Sequence, residues 1–323
     1  MKGCSLLLFV LAISTNSGQS QSCTASEIQH AVTRIASLIE DNYVFKEKGK
    51  HISTSLLSHQ KKGAFKNVAD WKAFDSICTK LLVYDSKDGH MYVKYDPILA
   101  KKTLHKKDPD QNNGAHPFYY DKDAEERNFG FSEVKILEGN IGYIRVIEIN
   151  LSEKSLHVLF AAMQFVRRTE ALIIDLRDNG GGGSAVGSVW ETYFLPKYTP
   201  LLEFRSSTGE GFVLTTVPWL VEPPYQNPLY VLVNKGTASA AEAFAFVIQH
   251  HGRGGIVGQV TAGAAHMNTF YPVNDDLIVS ISTNAPVIPG TTSNWEQKGV
   301  QPDHITSSGD ELQTALRLLL PND

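Results

Sequence analysis

The first part of the chain carries a helical pattern of apolar positions. In SEIQHAVTRIASLIEDNY, apolar side chains recur every three or four residues and form one stripe, at Ile28, Val32, Ile35 and Ile39. Ser26 stands where a helix N-cap is expected. Two later segments, STSLLSHQKKGAF and DWKAFDSICTKLL, also predict helices. We therefore expect a small helical bundle over residues 21–87.

From residue 88 onward the pattern changes to strands that alternate with helices. DGHMYVKYDP begins this region, and the polar residues 97–130 predict a long loop or lid. Strands are predicted in FSEVKILEGNIGYIRVIEI, ALIIDLRDN, PLYVLVN, GGIVGQV and NTFYPVNDDLIVSISTNAPVI. Helices are predicted in SLHVLFAAMQFVRRTE, SAVGSVWETYFL, AEAFAFVIQHH and ELQTALRLLL. The alternation is typical of an α/β fold with a largely parallel, helix-covered sheet, here over residues 88–323.

The first twenty residues have the pattern of a secretory signal peptide. Lys2 precedes the apolar run SLLLFVLAI, and small and polar residues follow it. The run is too short to span a bilayer as a helix, and no later segment is long and apolar enough to do so. We expect residues 1–20 to be a leader, with cleavage between Ser17 and Ser22, and the protein to be secreted.

Cysteine usage agrees with export. Outside the leader the chain contains two cysteines, Cys23 and Cys78. In an oxidising compartment such a pair suggests one disulfide, which would tie the N-terminus to a helix. The alternative is two free buried thiols.

Composition and motif content exclude several classes of function. The 323 residues include 34 acidic and 30 basic side chains, for a formal net charge of −4. The chain therefore lacks the one-sided basic charge that nucleic-acid binding requires. It has no CxxC or HExxH motif and no Asp/Glu cluster at metal-binding spacing, so we expect neither a metal site nor a cofactor.

Two turns of small residues follow predicted strands, DLRDNGGGGS at 175–184 and NKGTASAAE at 234–242. Loops that leave the C-terminal ends of parallel strands face the ligand site of such a sheet. Four consecutive glycines permit positive φ and leave backbone N–H groups uncovered, so the first turn can hold a phosphate or an oxyanion. The spacing fits neither the Walker nor the dinucleotide-binding motif. A plain flexible turn is the alternative.

Ser239 lies in the second turn, two residues before the predicted helix AEAFAFVIQHH, whose first turn offers unpaired N–H groups that favour negative charge. A serine nucleophile needs a base and a group that orients the base. Among eleven histidines, His90 differs because it lies in a turn that leads into a strand, and His266 is a candidate for substrate contact. Glu296, on a turn before the last helix, is a candidate third member; a solvated carboxylate is the alternative.

Seven segments together resemble the tail-specific serine peptidases, in the branch with the tricorn protease core and interphotoreceptor retinoid-binding protein. They occur in the family's order and span nearly the whole chain after the leader. The resemblance implies a ClpP/crotonase-like β/α core with a small N-terminal helical bundle. The segments are DNYVF (41–45), DGHMYV (88–93), IGYIRV (141–146), DLRDNGGGG (175–183), NKGTASAAE (234–242), GQVTAGAAH (258–266) and NWEQKGVQPD (294–303).

The resemblance implies roles for the residues that match the family's motifs. Ser239 aligns with the nucleophile, His90 with the general base of the tricorn-like branch, and Glu296 with the carboxylate that steers this base. No cofactor takes part in such a mechanism. The implied activity is that of a Ser–His–Glu peptidase acting through an acyl-enzyme.

Backbone groups complete the implied site. The N–H groups of Gly182 (or Gly181) and of Ala240 would form an oxyanion hole, while the small side chains around Ser239 let a scissile carbonyl approach. The substrate would be an extended peptide paired along a strand edge. The residues expected to contact it are Thr237, Gly263 and His266.

The chain departs from the carboxy-terminal processing proteases of this family at two points. Those proteases pair the serine with a lysine, but Ala264 stands at the aligned position and cannot accept a proton. They also insert a PDZ domain, for which residues 97–130 are too few. The resemblance therefore excludes a Ser–Lys mechanism and implies a simpler build without the PDZ domain.

The alternative function is a non-catalytic carrier of a hydrophobic ligand, a retinoid or a fatty acid, on the same fold. The apolar helix AFAFVI and the aromatic residues Phe212, Trp219 and Trp295 would then line its pocket, and core packing is the other explanation for these rings. The presence of Ser239, His90 and Glu296 together favours the hydrolase, because a carrier needs none of them.

Overall fold

The computed structural model describes residues 21–104, 122–150, 153–182 and 187–320. These residues form a helical bundle and two β-sheets with further helices, so the predicted α/β fold with an N-terminal helical bundle is confirmed. The expected signal peptide, residues 1–20, lies outside the described residues.

The bundle consists of α1 (Ala25–Asn42), α2 (Lys46–Lys61) and α3 (Trp71–Ser86). The apolar stripe predicted on α1 is buried, and each of its four isoleucine and valine side chains is at most 4% exposed. Their hydrophobic cluster extends to Val279 and Ile281, which belong to a strand of the second sheet. The bundle is therefore packed directly on the core.

The N-cap of α1 is Thr24, so the expectation of Ser26 was wrong by two residues. The Thr24 hydroxyl accepts the N–H of Glu27 at 3.2 Å, and the Glu27 carboxylate accepts the N–H of Thr24 at 2.7 Å. This reciprocal pair is a capping box, which satisfies two backbone donors that the helix itself leaves unpaired. Ser26 lies inside the first turn.

The expected disulfide between Cys23 and Cys78 is not formed, and both cysteines are free thiols. Cys78 is fully buried on α3, where burial and the nearby Asp75 raise the pKa of its thiol. Cys23 lies in the extended segment before α1, where its N–H donates to the carbonyl of Ala69. Cys78 therefore packs as a small apolar side chain, in agreement with the alternative of unpaired thiols.

The strands divide into a mainly parallel and an antiparallel sheet. In the described residues they are β1 (Tyr92–Tyr95), β2 (Phe131–Leu137), β3 (Ile141–Val146), β4 (Ala171–Asp175), β5 (Pro200–Ser206), β6 (Phe212–Thr215), β7 (Leu229–Val233), β8 (Gly255–Gly258), β9 (Met267–Pro272), β10 (Leu277–Val287) and β11 (His304–Ile305). The first sheet has the order β11–β8–β7–β4–β3–β2, parallel except for the β2–β3 pair. The second has the order β1–β10–β5–β6, with β9 also paired to β10, and its pairs are antiparallel.

The expected largely parallel, helix-covered sheet is present, but the second, antiparallel sheet was not expected as a separate sheet. Strands β5 and β6 were not predicted from the sequence, and β5 is partly buried, with Leu201, Leu202 and Phe204 in the core. The second sheet matters for the site, since β1 follows the turn of His90 and β9 follows His266.

Helices cover both faces of the first sheet. Beyond the bundle, the described helices are α4 (Pro97–Leu104), α5 (Lys122–Glu126), α6 (Ser155–Val166), α7 (Gly187–Thr192), α8 (Ala240–His250) and α9 (Glu311–Leu319). α6 and α8 bury their apolar side chains on one face, and α9 packs on the other. None of the described helices combines the length and apolar character needed to cross a membrane.

The polar segment 97–130 is not one continuous loop. It begins with α4, which packs Leu99 and Ala100 against Ile278 of β10. It ends with α5 and a short 3-10 turn at Asn128–Gly130. Its middle, residues 105–121, lies outside the described residues. The prediction of a loop was wrong at both ends, because short apolar patches there find partners in the core.

The capping box predicts a position-specific effect on stability. Thr24→Ala removes the hydroxyl that accepts the Glu27 N–H, and we expect the free energy of unfolding to fall by about 1 kcal/mol. Ser26→Ala, two residues later on the exposed first turn, is the matched control and should change it by less than about 0.5 kcal/mol. Urea unfolding followed by circular dichroism measures both. Equal losses in the two variants would contradict the assignment of Thr24 as the cap.

Candidate active site

Ser239 occupies a strained backbone position between β7 and α8. Its φ and ψ are 53° and −120°, which a residue with a side chain rarely adopts, and it immediately precedes the first residue of α8. Its N–H donates to the Glu242 carboxylate at 2.9 Å. Strain of this kind persists where surrounding contacts enforce it, and it is concentrated at functional sites.

The glycine turn after β4 lies directly against this serine. The two turns are adjacent because β4 and β7 pair in parallel, and the Ala238 N–H donates to the Asn179 carbonyl at 2.9 Å. A Cβ atom on Gly181 would stand 2.7 Å from both the Cβ of Ser239 and the carbonyl oxygen of Ala238. Gly181 also has a φ of 91°. The position therefore requires glycine for both space and conformation.

The three residues predicted for the oxyanion hole differ in the hydrogen bonding of their N–H groups. The N–H of Gly181 already donates to the Asn179 side chain at 2.9 Å, so it is not available to a ligand. The N–H groups of Gly182 and Ala240 have no hydrogen-bond acceptor within the described residues, and both residues line one cavity with Ser239. Ala240 is the first residue of α8, whose first N–H groups have no acceptor inside the helix.

Glu242 is a central residue that the sequence analysis did not identify as functional. It is fully buried, and its carboxylate accepts the N–H groups of Ser239, Gly263 and Ala264 at 2.7–2.9 Å. The Thr261 hydroxyl also donates to it. The signal was present in the sequence, because a glutamate three residues after a serine at a helix start is the spacing of a capping box.

His90 lies in the cavity but has no carboxylate partner at hydrogen-bond distance. Its Nδ1 is buried without a hydrogen bond and stands 3.9 Å from Oδ1 of Asp88. The Asp88 carboxylate instead accepts the backbone N–H of His90 at 2.9 Å, which fixes the turn. Burial lowers the pKa of His90 more than the nearby carboxylate of Asp88 raises it. The imidazole is therefore neutral at neutral pH and able to accept a proton.

A second histidine forms the closer pair with Asp88. Nδ1 of His266 lies 2.7 Å from Oδ2 of Asp88, which also accepts the Tyr43 hydroxyl at 3.2 Å. Burial disfavours ionisation of Asp88, but the hydrogen bond and charge of His266 outweigh it and lower the pKa of Asp88 to about 2. Glu296 accepts the N–H groups of Ala265 and His266 at 2.8 and 3.3 Å, and its Oε2 is 3.8 Å from Nδ1 of His266.

The structure thus differs from the expected hydrogen-bonded arrangement of Ser239, His90 and Glu296. Ser239, His90 and His266 line one cavity. No hydrogen bond or ion pair within the described residues joins Glu296 to His90; Glu296 instead approaches His266. Asp88, two residues before His90 in the same DGHMYV segment, is the carboxylate that contacts both histidine-bearing segments, and the sequence analysis did not single it out.

Asp88, His266 and Glu296 are residue types that bind cations, and their ligand atoms lie within 4.8 Å of one another. Their contacts are explained without an ion, because the imidazole nitrogen and the carboxylates are already hydrogen-bonded to each other or to backbone N–H groups. The cluster is therefore a hydrogen-bond network of Asp88, His266 and Glu296.

The cavity has a volume of about 590 Å³ and a mixed lining, with Leu202, Phe204, Leu214 and Trp295 among its apolar side chains. Two residues predicted to contact substrate do not line it. Thr237 is fully buried and its hydroxyl donates to the Leu176 carbonyl at 2.8 Å, while the N–H of Gly263 donates to Glu242. Both residues therefore hold the neighbouring turns in place by hydrogen bonds and do not line the cavity. The third, His266, does line the cavity.

The three aromatic residues proposed for a carrier pocket do not all line the cavity. Trp295 is 1% exposed and lines the cavity. Phe212 and Trp219 are about half exposed and are not among the residues that line it. The described cavity wall therefore uses one of the three.

Two family profiles match the chain. The profile described as "Peptidase family S41" matches residues 140–306, more than half of the sequence, and includes Ser239, His266 and Glu296. The profile described as "N-terminal domain of Peptidase_S41 in eukaryotic IRBP" matches residues 23–129 and includes Asp88 and His90. The two matched regions therefore each supply part of the cavity.

Similar proteins include processing proteases. The chain is 29% identical over 195 residues to the carboxyl-terminal-processing protease of Synechocystis sp., covering 56% of this chain and 44% of that protein. It is 24% identical over 204 residues to the carboxy-terminal processing protease CtpB of Bacillus subtilis, covering 59% and 41%. The chain thus spans less than half the length of these relatives.

Solved structures share the fold over nearly the whole chain. A lipoprotein from Streptococcus agalactiae superposes with a TM-score of 0.59 at 17% identity, covering 97% of this chain and 99% of that one. The photosystem II D1 C-terminal processing protease gives 0.53 at 18% identity, covering 92% and 98%. The tricorn protease gives 0.55 at 14% identity, covering 90% and 35%. At these identities the similarity establishes the fold.

The contact between the two turns predicts a sharp difference between neighbouring glycines. Gly181→Ala places a methyl group against Ser239 and Ala238, so we expect the rate of serine labelling by a fluorophosphonate to fall at least about tenfold. Gly180→Ala is the matched control, because a Cβ there meets no atom within 4 Å and should leave the rate within about twofold. Mass spectrometry of the adduct measures both rates. Similar labelling of the two variants would show that the close contact does not position the serine.

Proposed function

Because the chain belongs to peptidase family S41, we propose that it is a serine peptidase that hydrolyses peptide bonds through an acyl-enzyme on Ser239. The resemblance drawn from the seven sequence segments is thereby confirmed at the level of the family. The observation that carries the proposal is the position of Ser239. It has a strained backbone at a helix start and lines one cavity with His90, Gly182 and Ala240, and the N–H groups of the latter two have no acceptor among the described residues.

The proposed reaction uses His90 as the general base. The Ser239 hydroxyl attacks the scissile carbonyl and transfers its proton to the neutral imidazole of His90. The N–H groups of Gly182 and Ala240 stabilise the negative charge on the tetrahedral oxygen. His90 then donates the proton to the leaving amine, and a water molecule hydrolyses the acyl-enzyme by the same steps.

The choice between the two histidines rests on the family motif, in which His90 aligns with the general base. Nδ1 of His266 lies 2.7 Å from Asp88, whereas Nδ1 of His90 lies 3.9 Å from the same carboxylate. Hydrogen bonds of a catalytic base are often long before substrate binds, so the longer distance is compatible with this role. We therefore assign His90 as the base. Asp88 positions its turn, and Glu296 acts on that arrangement through His266, which stands between the two carboxylates.

A Ser–Lys mechanism finds no support in the described site. Ala264 occupies the position aligned with the family lysine, and its N–H donates to Glu242 at 2.9 Å. No lysine is among the described residues that line the cavity. The proposed mechanism therefore uses a histidine as the base, whereas the processing proteases of the family use a lysine.

The proposed substrate is an extended peptide. Residues of β9 from Met267 to Phe270 line the cavity, and β9 pairs with β10 alone among the described strands. The other edge of β9 would accept the peptide as an added strand. Secretion is part of the same proposal and rests on the leader pattern of residues 1–20. A carrier of a retinoid or fatty acid remains the alternative outcome, favoured by the apolar part of the cavity lining.

Substitutions of the serine and of each histidine test the assignment. We expect Ser239→Ala and His90→Ala each to lower kcat/KM for a fluorogenic peptide by roughly 10³-fold or more, because neither attack nor proton transfer proceeds without them. His266→Ala should cause a smaller loss, about tenfold, because it changes positioning alone. Circular dichroism controls for folding.

The reverse order of the two histidine effects would identify His266 as the base. Absence of fluorophosphonate labelling on native protein, together with saturable quenching of tryptophan fluorescence by a retinoid or fatty acid, would replace the peptidase by the carrier.

The lowered pKa of His90 predicts the acidic side of the pH profile. The neutral imidazole is the active form, so kcat/KM should fall as the pH drops through the pKa of His90. Because burial lowers this pKa, with Asp88 and His266 as the titratable groups that act on it, we expect the midpoint below about 6.5. The midpoint is measured from kcat/KM between about pH 4.5 and 8.5, a range of about two units on either side of an ordinary histidine pKa. A midpoint above the ordinary histidine value would exclude His90 in this environment as the base.

A further inference from the structure

A buried carboxyl group in the cavity wall has no hydrogen-bond partner among the described residues. Glu191, on α7, is 3% exposed and lines the same cavity as Ser239. No hydrogen bond or ion pair joins either of its carboxyl oxygens to a described residue, and Oε2 is fully enclosed. The proposed mechanism does not use this side chain.

The isolation of Glu191 has an electrostatic consequence. Burial raises the pKa of its carboxyl to about 8, and no charged group within the described residues contributes to this shift. The carboxyl is therefore mainly neutral in the empty cavity at pH 7. A buried polar group without a hydrogen-bond partner is unfavourable for folding and is uncommon in native proteins. Its position in the cavity wall suggests that the partner arrives with the substrate.

Building on the proposed peptidase function, we propose that Glu191 makes the enzyme specific for a basic side chain, lysine or arginine, next to the scissile bond. The carboxylate would accept the ammonium or guanidinium group at the end of that side chain. Glu191 is thus a specificity-determining residue.

The lining of the cavity that Ser239 and Glu191 share favours a long side chain. Ala240 and Ala243 lie on the same face of α8 and line this cavity with small side chains, which leaves room for a substrate side chain. Leu202 and Leu214 supply apolar surface for the methylene stem that lysine and arginine carry. A short polar side chain does not combine such a stem with a terminal donor.

The charge balance of the cavity favours a cation over a neutral donor. Neither lysine nor arginine is among the described residues that line it; the titratable groups that do, besides Glu191, are Tyr92, His90 and His266. An incoming cation stabilises the ionised carboxylate in a poorly solvated wall, where the attraction between opposite charges is strong. A neutral donor supplies one hydrogen bond and leaves the carboxyl protonated.

The test compares peptides that differ in one group. Fluorogenic peptides carry arginine, citrulline or norleucine before the scissile bond; citrulline keeps the length of arginine but has a neutral, hydrogen-bonding urea in place of the charged guanidinium. For the native chain at pH 8 we expect kcat/KM to be about 10- to 100-fold higher for arginine than for citrulline. In Glu191→Gln, which preserves volume, the ratio should fall to about one. Glu133→Gln, an exposed glutamate paired with Lys135 on β2, is the control and should keep the native ratio.

A second measurement does not depend on catalysis. Calorimetry on Ser239→Ala measures binding of N-acetyl-arginine amide and N-acetyl-citrulline amide. We expect the arginine ligand to bind more tightly and, at pH 7, to release a proton from Glu191, which buffers of different ionisation enthalpy detect. The double variant Ser239→Ala/Glu191→Gln should lose both effects.

The outcomes separate the two proposals. Cleavage of all three peptides at equal rates by the native chain would overturn the role of Glu191 and leave the peptidase function intact. Absence of cleavage combined with Glu191-dependent binding of the arginine ligand would overturn the peptidase function and support the recognition of a basic group. Equal binding of arginine and citrulline to Ser239→Ala would also overturn the role of Glu191. These comparisons within the native and Ser239→Ala chains decide the question even if Glu191→Gln does not fold.

Discussion

The buried carboxylate of Glu242 is the interaction on which the geometry of the site depends. It accepts N–H groups from the serine turn and from the segment after β8, and so joins the start of α8 to residues 261–264. A buried carboxylate without such donors would be strongly unfavourable, so these segments must close around it together. The same segment continues into Ala265 and His266, and the position of the serine is thereby linked to that of the Asp88 network.

The helical bundle completes this arrangement from the other side. Tyr43, at the end of α1, donates its hydroxyl to Asp88, and the neighbouring Phe45 packs edge-on against the His266 ring with centroids 5.7 Å apart. His90 enters through the turn that joins α3 to β1. The bundle is thus part of the site, because the first sheet alone, with its serine and glycine turns, would lack both His90 and the buried Asp88.

Small residues in the glycine-rich turn after β4 and in the Ser239 turn have different structural roles. Gly181 provides space and uses its own N–H within the turn, while Gly182 and Ala240 keep their N–H groups available. Thr237 and Gly263 hold the turns in place through buried hydrogen bonds. Glu191, in contrast, has a buried polar group that nothing in the described chain satisfies. Nδ1 of His90 in the same cavity is likewise buried without a hydrogen bond. Most buried polar groups in native proteins are paired, so unpaired groups that face a cavity are candidates for contact with a ligand.

By itself the sequence determined the helical bundle, the parallel strands that precede the two turns, the family, and the place of Ser239 at the start of a helix, because each depends on local periodicity or on contiguous motifs. Tertiary structure decided the rest. The antiparallel sheet, the free state of Cys23 and Cys78, the engagement of Asp88 by His266 instead of His90, and the buried positions of Glu242 and Glu191 all depend on contacts between segments far apart in the chain. Periodicity shows which face of an element is apolar, but the partner of a buried polar group is set by packing in three dimensions.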